Sequence, residues 1–210
     1  MSPQEQALYP SECTTIIVGK KMTQDGSMIV ARSDDWNAVN AKKFKVHPPQ
    51  KQGPEEFASF NNGFRCKLPK EALGYMGMPP YQYPDQWESA GFNTAGVGLS
   101  ATESIFSSKK ALEADPLVPS GLGEISITSI VLPYIHTARE GVIRLGKLIE
   151  EHGVMEGFGV GFVDQNEIWY LETACGHRWM AERIPSNTYF VTANQSRLRE
   201  YDPKDDHHFL

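Results

Sequence analysis

Cysteine is scarce in this chain: Cys13, Cys66 and Cys175 are the three present in 210 residues. So sparse and odd a set builds no disulfide framework and suits a reducing compartment. No CxxC pair occurs, which removes a zinc ribbon or a thioredoxin-like motif. Basic charge is also short, with 20 Lys and Arg against 26 Asp and Glu and a net charge of -6. That balance argues against a nucleic-acid partner. No apolar run approaches the roughly 20 residues that cross a bilayer. The N-terminal MSPQEQALYPSE has neither the basic nor the apolar region of a secretory signal. The expectation is a cytoplasmic protein without membrane partners. Internal repeats and a clean domain boundary are lacking too.

What is present reads as strands, then helices, then strands. TTIIVG (14–19) is β-branched and apolar, and MIVAR (28–32) is its return strand across an Asp25-Gly26 turn. Residues 48–86, rich in Pro, Gly, Tyr and Met, read as long surface loops. SAGFNTAGVGLSATES (89–104) reads as a second hairpin with Asn93 and Gly96 at its turn. Thr137 and Glu140 form a capping box for a helix that Gly153 ends, and Pro133 bends or ends a helix over 125–136. GFGVGFVD, EIWYLET and RWMAERI follow as three strands, then TYFVTANQ (188–195). Such segregation predicts an α+β fold of antiparallel sheets with a helical layer rather than alternating βαβ units. The closing DDHHFL steps from polar to apolar, as if another element begins there.

Several motifs have plainer explanations. GVIRLGKL (141–148) matches GxxxxGK, but Leu148 stands where Ser or Thr should hold magnesium, and the stretch lies within an amphipathic helix. GFGVGF opens no helix and is not a dinucleotide fingerprint. His136 and His177 lack metal-protease spacing, and His207-His208 lie in a polar tail. Glu172 and Glu182 read as outward-facing charges on half-buried strands. Cys66 and Cys175 show no base or cationic partner and read as passive.

Cys13 differs. It opens a strand directly after a structureless stretch, and the hairpin puts Arg32 and Asp35 at its end. As a bland alternative it is a small buried residue. As a nucleophile it needs a base within reach. Cleavage of the Glu12–Cys13 bond supplies one, an α-amine with a reference pKa of about 7.7–8.0 that is roughly half neutral near physiological pH. On that reading residues 1–12 are a leader and 13–210 a domain.

CTTIIVGKKMTQDGSMIVARSDDW resembles the opening of the C69 dipeptidases, the dipeptidase A type, within the N-terminal-nucleophile hydrolases. GFNTAGVGLSATES, ITSIVLPYIHTAREGVIRLGKLIEEHG, EIWYLET with GHRWMAERIP, and YFVTANQ resemble the same family in the same order. The resemblance implies an αββα sandwich, two antiparallel sheets between helical layers, removal of the leader by self-cleavage, and amide hydrolysis with no cofactor and no metal. It implies Cys13 as nucleophile with its freed amine as base, Arg32 beside the thiolate, Asp35 holding the α-amino group, and Asn194 as oxyanion donor. Glu103 is the candidate for gripping a dipeptide's ammonium, and Asn93 is carried as a second substrate contact. The implied substrates are small peptides, free dipeptides of broad variety, cut through a thioester; a homo-oligomer is a further expectation. Members run to about twice this length, so a C-terminal part of the fold is expected to be missing. The alternatives are an N-acyl amide hydrolase, like choloylglycine hydrolases and penicillin V acylases, and a non-catalytic truncated relative; redox sensing by Cys13 is weaker.

Overall fold

Two strands at the start of the described chain hold Cys13 and Arg32. β1 (Cys13–Val18) and β2 (Ile29–Asp34) pair antiparallel, with Cys13 opposite Asp34 and Thr15 opposite Arg32. Gly26 turns the hairpin at φ 74°, a left-handed conformation that glycine adopts without cost. The computed structural model describes residues 13–34, 41–82, 87–103 and 105–210. The expected leader and Asp35 lie outside them.

The 48–86 region and its approach are more ordered than a set of loops. They contain β3 (Lys45–His47), β4 (Glu56–Ala58), β5 (Arg65–Lys67) and β6 (Tyr75–Gly77), each three residues long. Strands this short, between prolines and glycines, show no alternation long enough to detect. β7 (Ala90–Asn93) and β8 (Gly98–Glu103) are the second hairpin. After them come α1 (Lys109–Ala114), capped by Ser108, α2 (Glu124–Val131), a 3-10 turn at Leu132–Tyr134 that ends α2 at Pro133, and α3 (Ala138–His152). β9 (Phe158–Val163), β10 (Ile168–Thr173), β11 (Trp179–Arg183) and β12 (Tyr189–Thr192) follow. The final residues pair with the edge of β11, where Glu182 faces Phe209.

One sheet has three strands in the order β12-β1-β2, and the other has seven, β11-β10-β9-β8-β7-β6-β3. The small sheet lies on one face of the large sheet, through Ile17, Val30 and Phe190 against Ile168, Tyr170 and Val163. α2 and α3 cover the opposite face around a larger core that includes Ile127, Leu145, Phe162, Trp169 and Leu171. Glycines let this helical layer come close. A Cβ on Gly141 would stand 2.5 Å from the Phe162 ring, and one on Gly146 2.2 Å from that of Trp179. The GxxxxGK match in α3 is thus a packing face. Among the described residues the layers are small sheet, large sheet and helices. The outer face of the small sheet, with Ile16, Ile29, Tyr189 and Val191 exposed, carries no helix there.

Candidate active site

Cys13 is flanked on both sides by the small sheet. β12 pairs with β1 at Thr15–Thr192, so the chain just past β12 runs beside the start of β1. Asn194 accepts the Cys13 N–H through Oδ1 at 3.0 Å. The Thr192 hydroxyl lies 3.0 Å from the carbonyls of Ala193 and Gln195 and holds this bend. From the other side, Arg32 brings Nη1 to 3.7 Å from Cys13 Sγ. Side chains alternate along a strand, and the Cys13–Asp34 and Thr15–Arg32 pairs place all of these groups on the face turned toward the large sheet.

The guanidinium is gripped. Its Nη2 donates to Ser89 Oγ at 2.7 Å, its Nη1 faces Glu124 Oε1 at 3.4 Å, and Asp34 Oδ2 lies 3.7 Å from Nη2. Lys42 Nζ joins Asp34 Oδ2 at 2.6 Å. Arg32 and Glu124 side chains are nearly buried, at 7% and 12% exposure, where a charge interaction is far less screened than in water. Glu124 heads α2, and its own N–H donates to Glu156 Oε1 at 2.8 Å in place of a side-chain cap. Ser89 is anchored through its neighbour: Glu88, 2% exposed, meets His47 Nε2 at 2.5 Å and Ser129 of α2 at 3.4 Å. Tyr75 stacks on His47 at 4.1 Å, and burial together with the Glu88 carboxylate pushes its phenol well above the ordinary value. Trp87, just before Glu88, adopts φ 69°, a left-handed backbone that costs a side-chain-bearing residue on the order of 1 kcal/mol.

The structure thus brings Cys13, Arg32 and Asn194 together. Glu103 closes β8 opposite Phe158, with its side chain outside the described part. Asn93 is a correction. It is buried on the helical face, donating to the carbonyls of Leu132 and Ile135 at 2.8 and 2.7 Å and accepting from the N–H groups of Ala95 and Val97. Its amide locks the β7–β8 turn to the end of α2, leaving no capacity for substrate. Cys66 is buried, which pushes its thiol to about 11, and burial with Asp115 raises Cys175; both thiols stay protonated and inert. Among the described residues, no group of three or more His, Cys, Asp or Glu could hold a metal ion, and no helix is long and apolar enough to cross a membrane.

The sequence profile of peptidase family C69 matches residues 12–210. The chain belongs to that family. A probable dipeptidase of Salmonella dublin is 46% identical over 200 residues, covering 94% of this chain and 46% of that protein. A probable dipeptidase A of Streptococcus pyogenes serotype M3 is 42% identical over 201 residues, covering 94% and 43%. The chain spans about half the length of the curated relatives it matches. A penicillin V acylase from Agrobacterium tumefaciens shares the fold, with a TM-score of 0.54 at 16% identity over 81% of this chain and 49% of that one. The C69 chain is therefore an α+β protein that shares its fold with that acylase.

In the C69 chain Ser89 and Glu124 hold Arg32, and Lys42 holds Asp34, without any signal in their local sequence, because each arrives from a distant element. Glu172 is a second correction. It is 4% exposed, and its carboxylate accepts the N–H groups of Arg197 at 2.8 Å and Leu198 at 3.0 Å, fixing the chain just beyond Asn194. Burial raises this carboxyl above its ordinary 4.5. A carboxyl raised on folding contributes most below its unfolded value and loses that contribution as pH climbs through the folded one. The Glu172 contribution should therefore fall as pH rises from about 4.5, so the stability of wild type relative to Glu172→Gln should decline over that range. Thermal unfolding of both proteins between about pH 4 and 7 checks this; parallel curves would contradict it.

Proposed function

We propose that the protein is a cysteine-type dipeptidase in which Cys13, exposed as a new N-terminus by removal of residues 1–12, attacks the peptide carbonyl. The observation that carries this reading is the double engagement of one residue: sulfur 3.7 Å from Arg32 Nη1 and nitrogen 3.0 Å from Asn194 Oδ1. The freed α-amine, held by Asp35, takes the thiol proton. Sulfur then bonds to the carbonyl carbon, and the Arg32 cation favours the sulfur's negative charge. Asn194, positioned by its contact with Cys13, donates through Nδ2 to the oxyanion, a contribution of about 3–4 kcal/mol where one such donor has been removed elsewhere. As the C–N bond breaks, the leaving amine recovers the proton from the α-ammonium. Water, deprotonated by the same amine, hydrolyses the thioester and releases the first amino acid. Glu103 binds the ammonium of the free dipeptide. The names of the Salmonella and Streptococcus relatives support this choice of substrate.

Intact-mass analysis of the purified protein beside a hydrolysis panel tests the proposal. A chain beginning at Cys13 that cleaves free dipeptides is the expected result. An active enzyme with residues 1–12 still attached, or turnover restricted to N-acylated substrates, would overturn it.

A further inference from the structure

A dipeptide differs from a longer peptide in one respect that a site can read: a carboxylate stands one residue beyond the scissile carbonyl, about 3.8 Å along the chain. A cation at that distance from the nucleophile would measure length. Arg32 is committed to Ser89, Glu124 and Asp34. Lys42 is placed differently. Its ammonium rests on Asp34, the residue directly across the strand pair from Cys13, where Cβ atoms stand about 4.5–5.5 Å apart. An ammonium has three donors, and the 2.6 Å contact with Asp34 Oδ2 uses one.

Lys42 also lines a groove of about 510 Å³ that runs between β2 and the part of the large sheet the small sheet leaves uncovered. Arg32, Asp34 and Ser89 share the groove with Lys42, and Phe44, Met76 and Phe92 are among its apolar walls. Val46, Met76 and Phe92 stand in register on neighbouring strands, which continues the apolar surface beyond it. The groove thus offers a cation, a fixed counter-carboxylate and an apolar wall, and it adjoins Cys13 through Arg32, which contacts the sulfur, and Asp34, which pairs with Cys13 across the strands.

We propose that Lys42 is the receptor for the α-carboxylate of the leaving residue, and that the adjoining groove takes that residue's apolar side chain. This rests on Cys13 being the nucleophile. Asp34 holds the ammonium in place when the site is empty and shares it when a carboxylate arrives. A longer peptide places a neutral amide there and leaves the Lys42–Asp34 pair desolvated without compensation. The preferred substrates are then dipeptides with a free C-terminus and an apolar second residue.

The test compares alanyl-leucine with its C-terminal amide in the full protein. Wild type should show a KM lower for the free acid by about 10- to 100-fold, the range of one charge-assisted hydrogen-bonded contact. Lys42→Met should bring the ratio of the two KM values close to one, and Lys42→Arg should keep most of the preference, with thermal unfolding confirming that both variants fold. A Lys42→Met enzyme that retains the wild-type ratio overturns the proposal, as does a wild type with no preference. Alkylation of Cys13 separates the two levels. If it stops hydrolysis while the ratio ignores Lys42, this inference alone fails; if hydrolysis survives it, the nucleophile reading fails and takes this inference with it.

Discussion

Cys13→Ala should lower dipeptide hydrolysis by about 10,000-fold or more and leave residues 1–12 attached. Alanine keeps the strand, its pairing with Asp34 and Thr192's neighbourhood, and the backbone N–H that Asn194 accepts. It removes the single atom able to form the thioester. Arg32 would still be clamped by Ser89 and Glu124, yet would face no sulfur. Residual turnover would reflect binding and oxyanion donors alone, because residues that act as a unit in covalent catalysis fail together. Intact mass and a dipeptide assay on the same preparation read both effects. Activity within tenfold of wild type would remove Cys13 from the chemistry.

Phe162→Ala should destabilise the protein by about 3–5 kcal/mol, the range for truncating a buried aromatic residue. Phe162 is fully buried near the end of β9, between Leu99 of β8 and Trp169 of β10. Its ring fills the space that Gly141 leaves on α3, so the helix would have to collapse inward to close the void. Helical backbone resists such collapse, and the cavity persists. Urea unfolding should show a lower midpoint with an unchanged slope. Val191→Ala, on the exposed outer face of the small sheet, should stay within about 0.5 kcal/mol of wild type. A loss below about 1.5 kcal/mol for Phe162→Ala would mean that the layers repack.

The parts of the fold legible in the sequence are those whose instructions are local. A β-branched run, an Asp-Gly turn and a second apolar run specify the β1–β2 hairpin, and the hairpin alone places Arg32 near Cys13. The capping box and terminal glycine bound α3 in the same way, with Thr137 accepting from the Glu140 N–H. Glu172 departs from the sequence expectation for a physical reason. Charges on an alternating pattern imply one wet face, whereas β10 lies between the small sheet and the helices and is buried at every position. Asn93 misleads because a turn asparagine and a ligand asparagine carry the same amide. Ser89, Glu124 and Lys42 were silent because convergence from β7's approach, α2's first turn and the chain before β3 is a property of the packed layers.

Arg32 and Cys13 are separated by 19 positions, while Asn194 comes from 181 positions downstream. During synthesis the nascent hairpin can therefore close early, as short loops do. The amide contact, by contrast, must wait until the ribosome has passed residue 194 and β12 has found β1. Until then the sulfur has its cation but not its carboxamide, so, on the proposed chemistry, order of emergence postpones reactivity until a long-range pairing certifies that the intervening sheet and helices are in place.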